Sequence, residues 1–109
     1  VKELDALCRE IVFERDGGMC RDCKLKPAVD WSHVYSRRYK WLRWDLDNSF
    51  ASCKGCHLDW HARPSENGVW WEDEIGTERY RALVLRAAKP RKTDPELVRQ
   101  YLIQERGKL

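Results

Sequence analysis

The chain has 109 residues, with 21 Lys and Arg against 18 Asp and Glu for a formal charge of +3. That length suits one domain burying roughly two thirds of its unfolded surface, a modest core that a staple would help. No apolar run reaches the roughly 18 residues that span a bilayer, and the opening VKELDALCRE carries charges where a signal peptide is apolar, so a soluble, cytoplasmic protein without membrane contact is expected.

Leu4, Leu7, Cys8, Ile11 and Val12 form one helical stripe that stops at Gly17 and Gly18, which predicts a first helix over 2–16. Cys8, inside the stripe, reads as a small buried hydrophobe. MCRDC then forms a tight cysteine knuckle. AVDWSHVY, residues 28–35, has strand composition, and a turn over Asp45 to Asn48 leads into a short SFASC strand, giving a hairpin with a long loop. CHLDWHAR predicts a short helix ended by a turn at PSENG, residues 64–68. Thr77 is the expected N-cap of a helix to about Lys89, with Tyr80, Leu83, Val84 and Ala87 inward, and Pro90 ends it. Asp94 and Pro95 open a last helix with Leu97, Val98, Tyr101 and Leu102 inward, so 77–107 holds the C-terminal helices. Trp60, Trp70 and Trp71 are expected as core or rim aromatics. Without repeats or low-complexity linkers, 1–109 reads as one domain.

Of five cysteines, Cys20, Cys23, Cys53 and Cys56 make two CxxC pairs with 29 residues between them. In a reducing compartment that spacing means metal, not disulfides. Four thiolates close a tetrahedral shell and leave no open position, so a structural Zn²⁺ stapling residues 20–62 is expected, contributing on the order of 10 kcal/mol to folding. The stretch CKGCHLDWH also places His57 and His61 one helical turn apart, where both imidazoles share a face.

Charge is unevenly distributed. SRRYKWLRW holds Arg37, Arg38, Lys40 and Arg43 without an acid, interleaved with aromatics, and a second acid-free run spans Arg79 to Lys92. Such runs suit a phosphate backbone, and DNA is the expected partner, with Arg37, Arg38, Lys40 and Arg43 as its contacts. A solvated basic face is the plainer reading of each run alone.

The cysteine pairs bracket His33 and Asn48, and His57 follows the last cysteine. In this order, DWSH followed by DLDNSFASCKGCH resembles the HNH nuclease motif. ERDGGMCRDC before it, LRWDLDN in the turn, and an IG ahead of a helix resemble phage recombination endonucleases of the NinG (Rap) type over roughly residues 10–90. The resemblance implies an α+β fold, a small ββα-metal core with a four-cysteine zinc knuckle pair and flanking helices. It implies a metal-dependent DNA endonuclease, in a host cytoplasm if phage-encoded, with His33 as general base, Asn48 bracing the loop, and His57, with His61 as a further ligand, holding Mg²⁺ or Mn²⁺. Ser32 stands where most members carry an Asp or His ligand. Asp30, on the same strand face about 7 Å away, is the expected replacement, ahead of Asp59 or water. Paired cuts need two sites, hence the expectation of a homodimer. The competing class is a non-catalytic, zinc-ribbon-like nucleic-acid-binding module, which accounts for the cysteines and basic runs but not for His33, Asn48 and His57; a toxin-like nuclease shares the chemistry.

Overall fold

In the computed structural model, which describes the backbone of residues 1–109 and every side chain except those of residues 64–66, five α-helices surround a two-stranded antiparallel sheet, an α+β arrangement. Helix α1, Lys2–Arg15, carries Glu3 and Asp5 in its first turn and Arg15 in its last, matching the helix dipole at both ends. It buries Leu4, Cys8, Ile11 and Val12, and Gly17 and Gly18, at φ 71° and 75°, turn the chain away from it. Strands β1, Asp30–His33, and β2, Ser49–Ser52, pair Asp30 with Ser52, Trp31 with Ala51, Ser32 with Phe50 and His33 with Ser49.

Alternation along the strands gives the sheet two faces, each covered by its own core. Ala51 and Trp31 face α1, where Leu4, Cys8, Ile11 and Val12 meet Trp44, Leu46 and Leu102. Phe50 faces the other way, with its ring 5.1 Å from Trp60, 5.1 Å from Trp70 and 5.3 Å from Trp71. Leu42, Leu83 and Ala87 complete this second core. Trp60 and Trp71 are buried and Trp70 packs against them, as expected of core aromatics.

Helix α2, Lys54–Ala62, crosses the Phe50 face, and α3, Pro64–Ile75, follows after one residue. The turn expected at 64–68 is therefore the start of a helix. Proline is suited to a first helical turn, where its missing N–H costs nothing. Gly68 is a packing residue, since a Cβ there would lie 3.4 Å from the Tyr80 hydroxyl of the next helix. That helix, α4, Thr77–Ala87, is capped by Gly76 at φ 91°, not by Thr77, which is already helical. Helix α5, Pro95–Arg106, starts as expected, with Asp94 accepting the Glu96 N–H. It returns against α1. The long hairpin loop is ordered by two 3₁₀ turns, Lys40–Leu42 and Leu46–Asn48. Among the described residues no helix is long and apolar enough to cross a membrane.

Candidate metal centre and active site

Cys20 and Cys23 lie on a knuckle closed by the Cys20 N–H to Lys26 carbonyl bond of 2.8 Å and the Lys24 N–H to Cys20 carbonyl bond of 3.0 Å. Lys24, at φ 60°, makes the tight reversal. Cys53 stands at the N-cap position of α2 and Cys56 in its first turn. The four sulfurs lie within 4.8 Å of one another, and Cys23 and Cys53 are 3.9 Å apart. Sulfurs at about 2.3 Å from one tetrahedral ion would be about 3.8 Å apart, so the cluster can hold a metal ion. None of the cysteines is in a disulfide. The Leu25 N–H donates to Cys23 and, with Lys26, holds that thiol down to about 7, while burial and the neighbouring thiols push Cys56 up. A thiolate facing three further sulfurs suits a cation.

One residue past Cys56, His57 turns its Nδ1 toward β1 and meets Asp30 Oδ2 at 3.2 Å. The two atoms are buried, yet neither has a hydrogen-bond partner, because the pair is close without being aligned. The Lys54 ammonium stands 3.9 Å from the same Asp30 oxygen, beyond hydrogen-bond reach. Two orphaned lone pairs facing one another fit a shared cation better than a protein–protein contact. On its other side His57 Nε2 is 3.0 Å from His61 Nε2. Asp30, His57 and His61 thus form a chain centred on His57, not a single point; among the described residues only the cysteines gather three or more ligands within 4.8 Å. Ser32 is 2% exposed and its hydroxyl is engaged by the Ser52 hydroxyl at 2.6 Å. Asp59 is engaged by Arg63 one turn on.

Strand alternation puts His33 on the opposite face from Asp30 and Ser32, beside Trp31 with ring centroids 4.4 Å apart. Its Nε2 lies 3.1 Å from the Arg43 carbonyl, which can only accept, so the proton sits on Nε2 and Nδ1 carries the lone pair. Nδ1 has no partner and is not among the buried orphans, so solvent reaches it. Burial, with smaller contributions from the Arg37 and Arg43 charges, lowers the His33 pKa to about 4 against the raising effect of the carbonyl. The ring is neutral at pH 7.

Asn48 is fully buried and ties the loop to the strand. Its Oδ1 accepts the Tyr35 N–H at 2.7 Å, and its Nδ2 donates to the Tyr35 and Leu42 carbonyls, each at 3.1 Å. Leu42 immediately precedes the residue whose carbonyl holds His33. A second tie escaped the sequence reading: Arg15 donates to the Leu46 and Ser49 carbonyls at 2.7 and 2.8 Å, on either side of Asn48. The buried Asp16 carboxylate steadies Arg15 and also accepts from Arg21 in the knuckle and from the Ala51 N–H. Only the adjacency of Arg15 and Asp16 at a helix end hinted at this. No family model, curated protein or solved structure matches the chain.

The basic loop divides. Arg37, Arg38 and Lys40 are exposed, with Arg37 over the Trp31 ring at 5.6 Å. Arg43, expected to meet DNA, instead holds Asp5 with both arms at 2.9 and 2.6 Å. In the second run Arg79 pairs with Asp47 and Arg86 with Asp45, both in the turn before Asn48.

Proposed function

We propose that the protein is a metal-dependent endonuclease of the HNH (ββα-metal) kind, with DNA as substrate and Zn²⁺ in the cysteine cluster. The observation that carries the reading is the orphaned pair of Asp30 Oδ2 and His57 Nδ1, buried 3.2 Å apart without a hydrogen bond. A carboxylate oxygen and an imidazole nitrogen suit Mn²⁺, or Mg²⁺ with water completing the shell. A divalent cation bound there supplies Lewis-acid stabilisation of charge on the phosphoryl group and leaving oxygen.

The chain's own residues do the rest. His33, fixed as the Nε2–H tautomer by the Arg43 carbonyl, offers Nδ1 to take a proton from the water that attacks phosphorus, and the P–O bond to the departing strand breaks. Asn48 acts through position: by holding Tyr35 and Leu42 together it sets the loop against which the ring is oriented. Arg37, Arg38 and Lys40 hold backbone phosphates and carry no sequence information themselves. Asp30 and His57 lie on one face of β1 and His33 on the other, so the scissile phosphate is served across the strand's free edge.

That separation also favours a second reading, a non-catalytic metal-stapled module that binds nucleic acid. Supercoiled plasmid distinguishes the two. Incubation with Mn²⁺ should nick it, EDTA should stop the reaction, and His33→Ala should abolish cleavage while leaving zinc content and DNA affinity nearly intact. Binding without cleavage under any divalent ion selects the module.

A further inference from the structure

A cleft of about 680 Å³ lies between the 41–47 loop, α4 and the start of α5. It belongs neither to the cysteine cluster nor to the Asp30 and His57 face. One wall is apolar: Trp41 and Trp44 from the loop, with Leu97 and Tyr101 from α5. Leu97 is 61% exposed and Tyr101 38%, so both are open to a ligand in the cleft. The Tyr101 oxygen accepts the Leu46 N–H at 3.2 Å, and its own O–H donates to no described group.

Charge decides what the cleft can hold. Three of its four acids are paired with cations, Asp45 with Arg86, Asp47 with Arg79 and Glu105 with Lys108 at 2.6 Å, while Asp94 accepts the Glu96 N–H and keeps its charge. Two of its cations are also unpaired. Arg91 and Lys92, on the linker between α4 and α5, are exposed and have no ion-pair partner among the described residues. The cleft therefore combines two unpaired cations against one unpaired acid, an aromatic wall and a free hydroxyl donor.

We infer that this cleft binds a nucleotide unit of a single-stranded nucleic acid, the base against Trp41 and Tyr101 and the phosphate at Arg91 and Lys92. Base stacking on aromatic side chains beside a cationic rim is how strands are held without sequence preference. The volume falls in the range of sites for small ligands, and a stacked duplex cannot offer a base to such a cleft without opening. The inference rests on the reading of the protein as a nucleic-acid binder but not on its cutting anything. The loop that forms the aromatic wall also gives His33 its carbonyl partner, so a bound strand would press on the segment that orients the ring.

The test is fluorescence anisotropy of a labelled oligothymidylate of about eight nucleotides with the full chain, without added Mg²⁺ or Mn²⁺. The double variant Arg91→Ala/Lys92→Ala, two exposed changes, should bind it about tenfold more weakly and lower the salt slope by about 1.4, while blunt duplex binding changes less than about twofold. Leu97→Glu, which puts a carboxylate at the mouth, should weaken the oligonucleotide similarly. No oligothymidylate binding by the native chain, or unchanged affinity in both variants, would overturn the inference. So would displacement by thymidine monophosphate at the oligonucleotide's own concentration, or equal displacement by polyglutamate, which would make it a nucleotide or an acidic-peptide site. Strand binding in a chain that never cuts plasmid leaves this inference standing and removes the nuclease; cleavage with unchanged strand affinity in the variants does the reverse.

Discussion

Two sets of candidate ligands share the start of α2 and follow opposite plans. The cysteine cluster draws its donors from segments 30 residues apart and brings them all to one point. The Asp30, His57 and His61 set draws on β1 and the same helix, and its donors meet in pairs without converging. Convergence fixes two distant segments at once, so the ion becomes part of the fold. In the proposed reading, an ion at the unconverged set would keep coordination positions open to water and substrate and would exchange.

The largest break in that contrast comes from Cys53→Ala. Losing one of four ligands should forfeit on the order of 10 kcal/mol of metal binding, comparable with the whole stability of such a domain. The expected result is loss of the cooperative unfolding transition and of bound zinc, read by circular dichroism and metal analysis. A folded, metal-free variant would erase the distinction between the two sites. His57→Ala is the opposite case: fold and tightly held zinc persist after dialysis, while Mn²⁺-dependent nicking disappears or needs far more Mn²⁺. If zinc fell in step, the histidine would belong to the closed shell.

Asp16→Asn sharpens the comparison from outside both sites. The buried carboxylate joins Arg15, Arg21 and the Ala51 N–H, so its charge links the knuckle to the turn that bears Asn48. Leaving two arginines partly uncompensated should cost about 3 kcal/mol in urea unfolding. An unchanged midpoint would mean that knuckle and turn are held independently.

The last effect, of similar size but confined to acid pH, is one of protonation. His33 has a pKa of about 4 when folded, against about 6.5 when unfolded. Above the higher value both states are neutral and nothing changes. As pH falls from about 6.5 to 4 the unfolded chain takes the proton first, so stability drops by on the order of 3 kcal/mol and then levels. His33→Gln should flatten that part of the profile; if it does not, the ring is more solvated than its position by Trp31 implies.

The sequence declared the cysteine shell because spacing alone specifies it: a CxxC pair has one common geometry, and two pairs leave little choice. It also declared the bounds of α1 and α5 and the buried stripe of α1, but of the four residues expected inward on α5 only Leu102 is buried, while Leu97 and Tyr101 are exposed at the cleft. It misdirected over α3, since Pro64 and Gly68 are turn formers by type but serve here as a helix opener and a close-packing position. The fates of Arg43, Arg79 and Arg86 were illegible for a different reason. A basic run has the same composition whether its charges face phosphate or carboxylate, and Asp5, Asp45 and Asp47 come from elsewhere in the chain. Strand parity did place Asp30 and Ser32 together, but which of the two would be sealed by Ser52 depended on register.

The core on the Trp31 side of the sheet has a kinetic corollary. Leu4 and Leu102 belong to the same cluster, so nearly the whole chain separates two residues that must touch. Closing so long a loop is entropically slow, and a two-stranded hairpin is only marginally stable by itself. The apolar stripe of α1 is made before α5 and waits for it, because α5 follows every other helix described in the chain. Until then that stripe is exposed, and the emerging chain should be at its most aggregation-prone just before α5 docks. Refolding rates should consequently respond more to Leu102→Ala than to an equally destabilising change on the Phe50 side if α5 docking lies within the rate-limiting step.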